Sequence, residues 1–139
     1  MKIDSIQDGI VLDHIQAGKG MEIYRLLHLD DLDCTVAIIK NVKSRTLGRK
    51  DIIKIDETID LDLDILGFID KDITVNTIRG GKLWKKQRGV PLPARLVNII
   101  PCKNPRCITA SEPSIDHLFR LVSEDPPLYR CAYCETAAR

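Results

Sequence analysis

The chain has 139 residues, 44% of them hydrophobic and 29% charged, with one Trp, two Phe and three Tyr. This is the composition of a globular protein with one ordinary domain or two small ones, since domains run roughly 50–250 residues. A helical membrane span is excluded, because no apolar run approaches the roughly 20 residues a bilayer requires. Acids in the opening MKIDSIQDGI break the apolar stretch of a secretion signal, so the expected location is cytoplasmic.

The formal charge of +1 conceals an asymmetry. Residues 1–70 hold nine Lys/Arg against fourteen Asp/Glu, whereas residues 71–139 hold twelve against six. A basic half suits an anionic partner such as nucleotide, nucleic acid or an acidic protein face, and it equally suits scattered solvated charge.

In chain order, residues 9–15 are rich in β-formers and predict a strand. Gly18-Lys-Gly20 punctuates the chain before MEIYRLLHL, whose Ile23, Leu26 and Leu27 have the i, i+3, i+4 spacing of a buried helix stripe. Residues 35–39 and 51–55 predict two further strands, joined by a polar, glycine-containing hairpin link at 43–49. Residues 58–69 are ambiguous. Ile59, Leu61, Leu63 and Ile65 alternate with acids as in a strand, while Leu61, Ile65 and Phe68 share one face of a short helix. Residues 73–78 predict a strand that turns at Gly80-Gly81 into another through Leu83 and Trp84. With a helix in 60–69 the order is β-α-β-β-α-β, the ferredoxin-like arrangement. Gly89-Val-Pro-Leu-Pro93 breaks regular structure where a linker belongs, which gives expected domains of 1–94 and 95–139. The second is near the size at which a core needs a metal or disulfide to help it.

Four of the five cysteines supply that help, as Cys102-x4-Cys107-x23-Cys131-x2-Cys134. Two close pairs with a longer insert form the pattern of a tetrathiolate zinc site, each pair on a tight turn that aims two sulfurs at one point. Two disulfides would need an oxidising compartment. A redox Cys131–Cys134 pair lacks the strand-then-helix context that activates a thiol. A catalytic zinc keeps an open position, which four cysteines close, and His117 lies in a polar insert with no ligand role required of it. One structural Zn²⁺ per chain is the expectation, its charge offset by Lys103, Arg106 and Arg130. Cys34 is expected to be a buried or half-buried small residue.

No nucleophile–base signature, Walker loop or HExxH motif is present, so the chain reads as non-catalytic. Asp13-His14 at a strand end, with Lys54 and the group Lys82, Lys85 and Lys86 on or beside neighbouring strands, offers an acceptor for ribose and cations for phosphate. Lysines on an exposed strand edge also serve simply to prevent aggregation. A zinc-ribbon nucleic-acid-binding module is the alternative, since Lys82-Leu-Trp-Lys-Lys-Gln-Arg88 interleaves an aromatic with cations.

The stretches Gly9-x-Val-Leu-Asp-His-Ile15, Gly48-Arg-Lys-Asp-Ile-Ile-Lys-Ile55, Thr74-Val-Asn76, Pro91-Leu-Pro-x-Arg95 and Cys131-x-Tyr-Cys-Glu135 occur in an order and spacing that resembles the aspartate carbamoyltransferase regulatory-chain family over essentially the full length. The resemblance implies an α+β protein: a ferredoxin-like N-terminal domain and a small, mostly β, zinc-binding C-terminal domain. It favours helix in residues 60–69. It implies binding of the effectors CTP, UTP and ATP by the first domain, docking of the second on the catalytic chain, and a regulatory dimer, with no membrane or nucleic-acid partner. Position by position, it assigns Asp13, His14 and Lys54 to ribose, phosphate and base contacts and Lys86 to phosphate. It assigns Ile3, Asp4, Ile6, Ile52, Asn76 and Leu83 to the remaining walls of the site. Gly81 departs from the familiar Tyr and Arg106 from the familiar Asn.

Overall fold

The computed structural model describes residues 6–138. The chain divides into two compact units, one ending at Pro91 and the other beginning at Leu92. Pro93 and Ala94 belong with the second because the Tyr129 hydroxyl donates to the Pro93 carbonyl at 2.7 Å and Leu121 N–H donates to the Ala94 carbonyl at 2.9 Å.

In the first unit, β1 (Gly9–Gln16), α1 (Gly20–Leu26), β2 (Val36–Ser44), β3 (Gly48–Ile55), α2 (Leu63–Ile69) and β4 (Thr74–Arg79) follow the ferredoxin-like order, and β5 (Lys82–Arg88) is added as a hairpin partner of β4. The antiparallel sheet runs β2-β3-β1-β4-β5. Ile10, Leu12, Ile53, Ile55 and Val75 are buried at alternate positions along their strands, and Ile23 of α1 and Leu66 and Phe68 of α2 are buried as well. Helices therefore cover one face of the sheet, and residues between those positions line the other.

The ambiguous segment is helical from Leu63 onward. Asp62 decides the start, its carboxylate accepting from Asp64 N–H at 3.0 Å and Ile65 N–H at 3.3 Å. Such a cap contributes about 1 kcal/mol, and the pattern of Ile65, Leu66, Phe68 and Ile69, all buried, completes a helix face that alternation would have split across a sheet. The polar link at 43–49 is shorter than its composition suggests. β2 continues to Ser44 and β3 begins at Gly48, leaving a three-residue tip.

Asp51 is fully buried, and no cation among the described residues pairs with it. Its carboxylate accepts from Gly18 N–H (3.1 Å), Gly20 N–H (2.9 Å) and Asn41 N–H (2.9 Å), tying the entry of α1 and the bulge of β2 to β3. Gly20 is required there, since a Cβ would lie 2.9 Å from the carboxylate.

The second unit holds a three-stranded antiparallel sheet of β6 (Arg95–Val97), β7 (Leu118–Glu124) and β8 (Pro127–Cys131), with one turn of helix, α3 (Ile108–Ser111). Its core is small: Leu96, Phe119, Tyr129, Cys107 and Cys131 are buried. No helix among the described residues is long and apolar enough to cross a membrane.

Candidate metal centre and anion-binding face

Cys102 and Cys107 flank a turn closed by Cys107 N–H donating to the Asn104 carbonyl at 3.1 Å, with the Asn104 side chain accepting from Arg106 N–H at 3.0 Å. Cys131 ends β8, and Glu135 N–H donates back to its carbonyl at 2.9 Å, so that Cys134 turns towards the first pair. All four Sγ atoms lie within 4.8 Å of one another. The closest approaches run between the turns, Cys102–Cys134 at 3.6 Å and Cys107–Cys131 at 3.7 Å. Sulfurs held about 2.3 Å from a common centre in a tetrahedron sit roughly 3.8 Å apart, so the arrangement has the dimensions of a closed four-sulfur metal shell.

The thiols are tuned in opposite directions. Burial pushes Cys102 up to about 12 and raises Cys131. The Thr136 hydroxyl, 3.2 Å from Cys134 Sγ, brings that thiol down to about 6, and the Thr109 hydroxyl, donating to Cys107 Sγ at 3.1 Å, lowers Cys107. Each close contact thus joins a thiol held above its ordinary value to one held below it, and a cation bound by all four would release whatever protons they retain. With no open coordination position, this is a structural metal site. His117, for which the sequence reading required no role, accepts from Cys102 N–H through Nδ1 at 3.3 Å and so helps fix the first turn. Thr109 and Thr136 were likewise not singled out from the sequence, because a hydroxyl two residues after a cysteine is too common to signal anything alone.

The other site residues lie in the first unit. Val11 opposes Lys54 on β3 and Asn76 on β4, and Asn76 opposes Lys86 on β5. Cross-strand partners share a face, so Lys54, Val11, Asn76 and Lys86 form one row across the face that the helices leave open. Asn76 is anchored by its side-chain amide donating to the Val11 carbonyl at 3.3 Å. Ile52 is two residues from Lys54 and shares its face, and Leu83 opposite Ile78 continues the face at the hairpin end. The row crosses the sheet rather than lying at its edge. Lys86 is one strand further from β1 than sequence adjacency suggested, because β5 pairs with β4 alone. Ile6 is half-buried. Ile3 and Asp4 lie outside the described residues.

Between Leu12 and Ile15, β1 has a bulge, with His14 at φ 57°. His14 Nδ1 lies 3.2 Å from Thr74 Oγ1. Asp13 accepts from His14 N–H at 2.6 Å and pairs with Lys50 at 2.9 Å, a lysine not selected from the sequence. Burial raises the Asp13 carboxyl, but the hydrogen bonds from Lys50 and His14 N–H, together with the Lys50 charge, outweigh it and hold the group below its ordinary value. The face therefore presents a fixed carboxylate among Lys50, Lys54 and Lys86.

Two family models match the chain: the allosteric domain of the aspartate carbamoyltransferase regulatory chain over residues 1–89, and the metal binding domain of the same chain over residues 94–139. Curated relatives with the same description align almost end to end. The Bifidobacterium longum protein is 42% identical over 139 residues, covering 100% of this chain and 99% of the relative. That of Clostridium botulinum is 47% identical over 135 residues, covering 97% and 92%, and that of Clostridium tetani 46% over 136 residues, covering 97% and 94%. The match extends through both units and includes the four-cysteine shell, and the chain belongs to the aspartate carbamoyltransferase regulatory-chain family, whose members are non-catalytic subunits.

Proposed function

We propose that the chain senses nucleoside triphosphates and conveys their binding to the catalytic chain of an aspartate carbamoyltransferase in cytoplasmic pyrimidine biosynthesis. In this reading the first unit takes CTP, UTP and ATP on the open sheet face. Asp13 accepts from ribose hydroxyls. His14, Lys50, Lys54 and Lys86 hold phosphate and base, with Ile6, Ile52, Asn76 and Leu83 as walls and Ile3 and Asp4 as the remaining contacts. The second unit holds Zn²⁺, the metal suited to four thiolates in a tetrahedron, and docks on the catalytic chain. Two regulatory chains associate as a dimer.

The observation that carries the proposal is the Lys54–Val11–Asn76–Lys86 row beside the Lys50–Asp13 pair. A triphosphate needs several cations at one place, and a ribose needs an acceptor that stays ionised. For coupling to occur, the nucleotide must bind two states of the assembly with different affinity. The test is reconstitution with a catalytic subunit, followed by substrate saturation with and without each nucleotide. Affinity shifted by a nucleotide, and sensitivity lost together with the metal, is the expected result. An intact metal-loaded complex indifferent to every nucleotide would reduce the chain to a structural bridge.

A further inference from the structure

The second cysteine turn is held from outside by an ion pair that metal coordination does not itself require. Glu135, immediately after Cys134, adopts φ 67°, a left-handed conformation that a non-glycine residue keeps only where its surroundings hold it. Here they hold both ends of the residue. Both carboxylate oxygens of Glu135 accept from Arg120 Nη2, at 2.6 and 2.7 Å, and its carbonyl accepts from Arg130 Nη1 at 2.9 Å. Arg120 and Arg130 are cross-strand partners on β7 and β8, and Arg95 of β6 opposes Arg120 in turn. Three arginines in register repel one another, which favours a carboxylate beside them, and Glu135 supplies one to Arg120. Beyond Glu135 the chain runs back along β8, with Cys131 N–H donating to the Thr136 carbonyl at 2.9 Å and Ala137 bridging Arg130.

On these contacts, and on the reading of the four cysteines as a metal site, we propose that Glu135 and Arg120 form a latch governing metal retention, as positioning residues that act through Cys134. A tetrathiolate site releases its metal one ligand at a time. Cys134 is followed by residues that run back along β8, and the path by which it would peel away is a swing of that segment off the strand. The latch closes that path. Groups outside the ligand shell commonly change metal affinity by roughly 10–100-fold when removed. The pair is half exposed, with side chains 49% and 57% accessible, so its effect on overall unfolding is small while its effect on this one local opening is direct.

The experiment uses the full chain loaded with Zn²⁺ and follows metal transfer to a colorimetric chelator. Arg120→Ala and Glu135→Gln should each speed release by about 5- to 50-fold, leave the melting temperature of the loaded protein nearly unchanged, and give no further increase when combined. Raised salt should speed release from the wild type and leave Arg120→Ala unaffected. Glu124→Gln, an acid on β7 without a role in the turn, is the control and should behave as wild type. Co²⁺ in place of zinc adds a second readout, since a looser Cys134 alters its absorption bands even where the fold is intact. Release within twofold of wild type in both single variants, or additive effects in the double variant, overturns the latch and leaves the metal site standing. A chain that takes up no metal overturns both.

Discussion

Lys50 Nζ lies 2.9 Å from Asp13 Oδ1 although the two residues are not opposite one another in the strand register, which pairs Lys50 with Gln16. Both lie on the open face of the sheet, Asp13 opposite Thr74 and Lys50 two and four residues along β3 from Ile52 and Lys54, so the long lysine side chain reaches the carboxylate diagonally. The β1 bulge sets residues 13 and 14 against a single position of β3 and leaves His14 in the left-handed region beside Thr74.

Replacing Lys50 with Met should raise the Asp13 carboxyl above its ordinary value of 3.8, because burial would then act against fewer opposing contacts. In the wild type the depressed folded value stabilises the protein above the unfolded value, and that stabilisation is lost as pH falls through the folded one. The variant should be less stable by about 1–3 kcal/mol at neutral pH, with the gap closing as pH falls below the ordinary carboxylate range. Urea unfolding across pH measures the gap, and carboxyl NMR titration measures Asp13 itself. An unchanged Asp13 titration would contradict the assignment.

Asp51 satisfies three backbone N–H groups in a place water does not reach. Asp51→Ala should cost about 2–5 kcal/mol, since each orphaned buried donor costs roughly 1–3 kcal/mol before relaxation. Asp51→Asn should fall between, its amide oxygen serving some donors while its NH₂ faces others. Loss of hydrogen-exchange protection at Gly20 and Asn41 locates the damage.

Nucleotide affinity should divide by charge. Lys86→Ala should weaken a triphosphate about 5- to 20-fold and the matching nucleoside by less than about twofold, as expected for loss of a charge-assisted contact of roughly 1–2 kcal/mol. Calorimetric titration of both ligands provides the comparison, and equal losses would place Lys86 away from the phosphates.

Removing the metal, or replacing Cys131 with Ser, should unfold the second unit and leave the first folded. The second has a small buried core in which Cys107 and Cys131 are themselves ligands, whereas the first encloses an apolar layer between sheet and helices. Amide exchange should show protection lost at Phe119 and Tyr129 and retained at Leu12 and Ile53. Uniform loss in both units would refute the division.

The metal shell was legible because cysteine spacing encodes it directly, and the strand order because β-rich runs alternate with turn residues. The helix at 63–69 was not legible from period, since Leu61, Leu63 and Ile65 fit both patterns. It was settled by the Asp62 cap, which is local but competes with alternation on equal terms. Lys50 was missed for a different reason. Its value depends on the β1 residue it reaches diagonally across the sheet, and strand pairing leaves no mark on composition. His117 stands 15 positions from Cys102, and only the fold makes them neighbours.

Trp84, the single tryptophan of the chain, stands on the β4–β5 hairpin with Arg79 stacked 3.6 Å from its ring centre. Leu83 is beside it and Lys86 two residues on, while the hairpin turn is moored by Gly81 N–H to the Gln7 carbonyl and by Gly80 N–H to Asp8. The indole is more than half exposed, so its emission responds to solvent and to the neighbouring guanidinium. The protein thus carries a built-in optical gauge of this hairpin, with no second tryptophan to blur the signal. Any rearrangement there can be timed by stopped-flow fluorescence on the unlabelled wild-type chain.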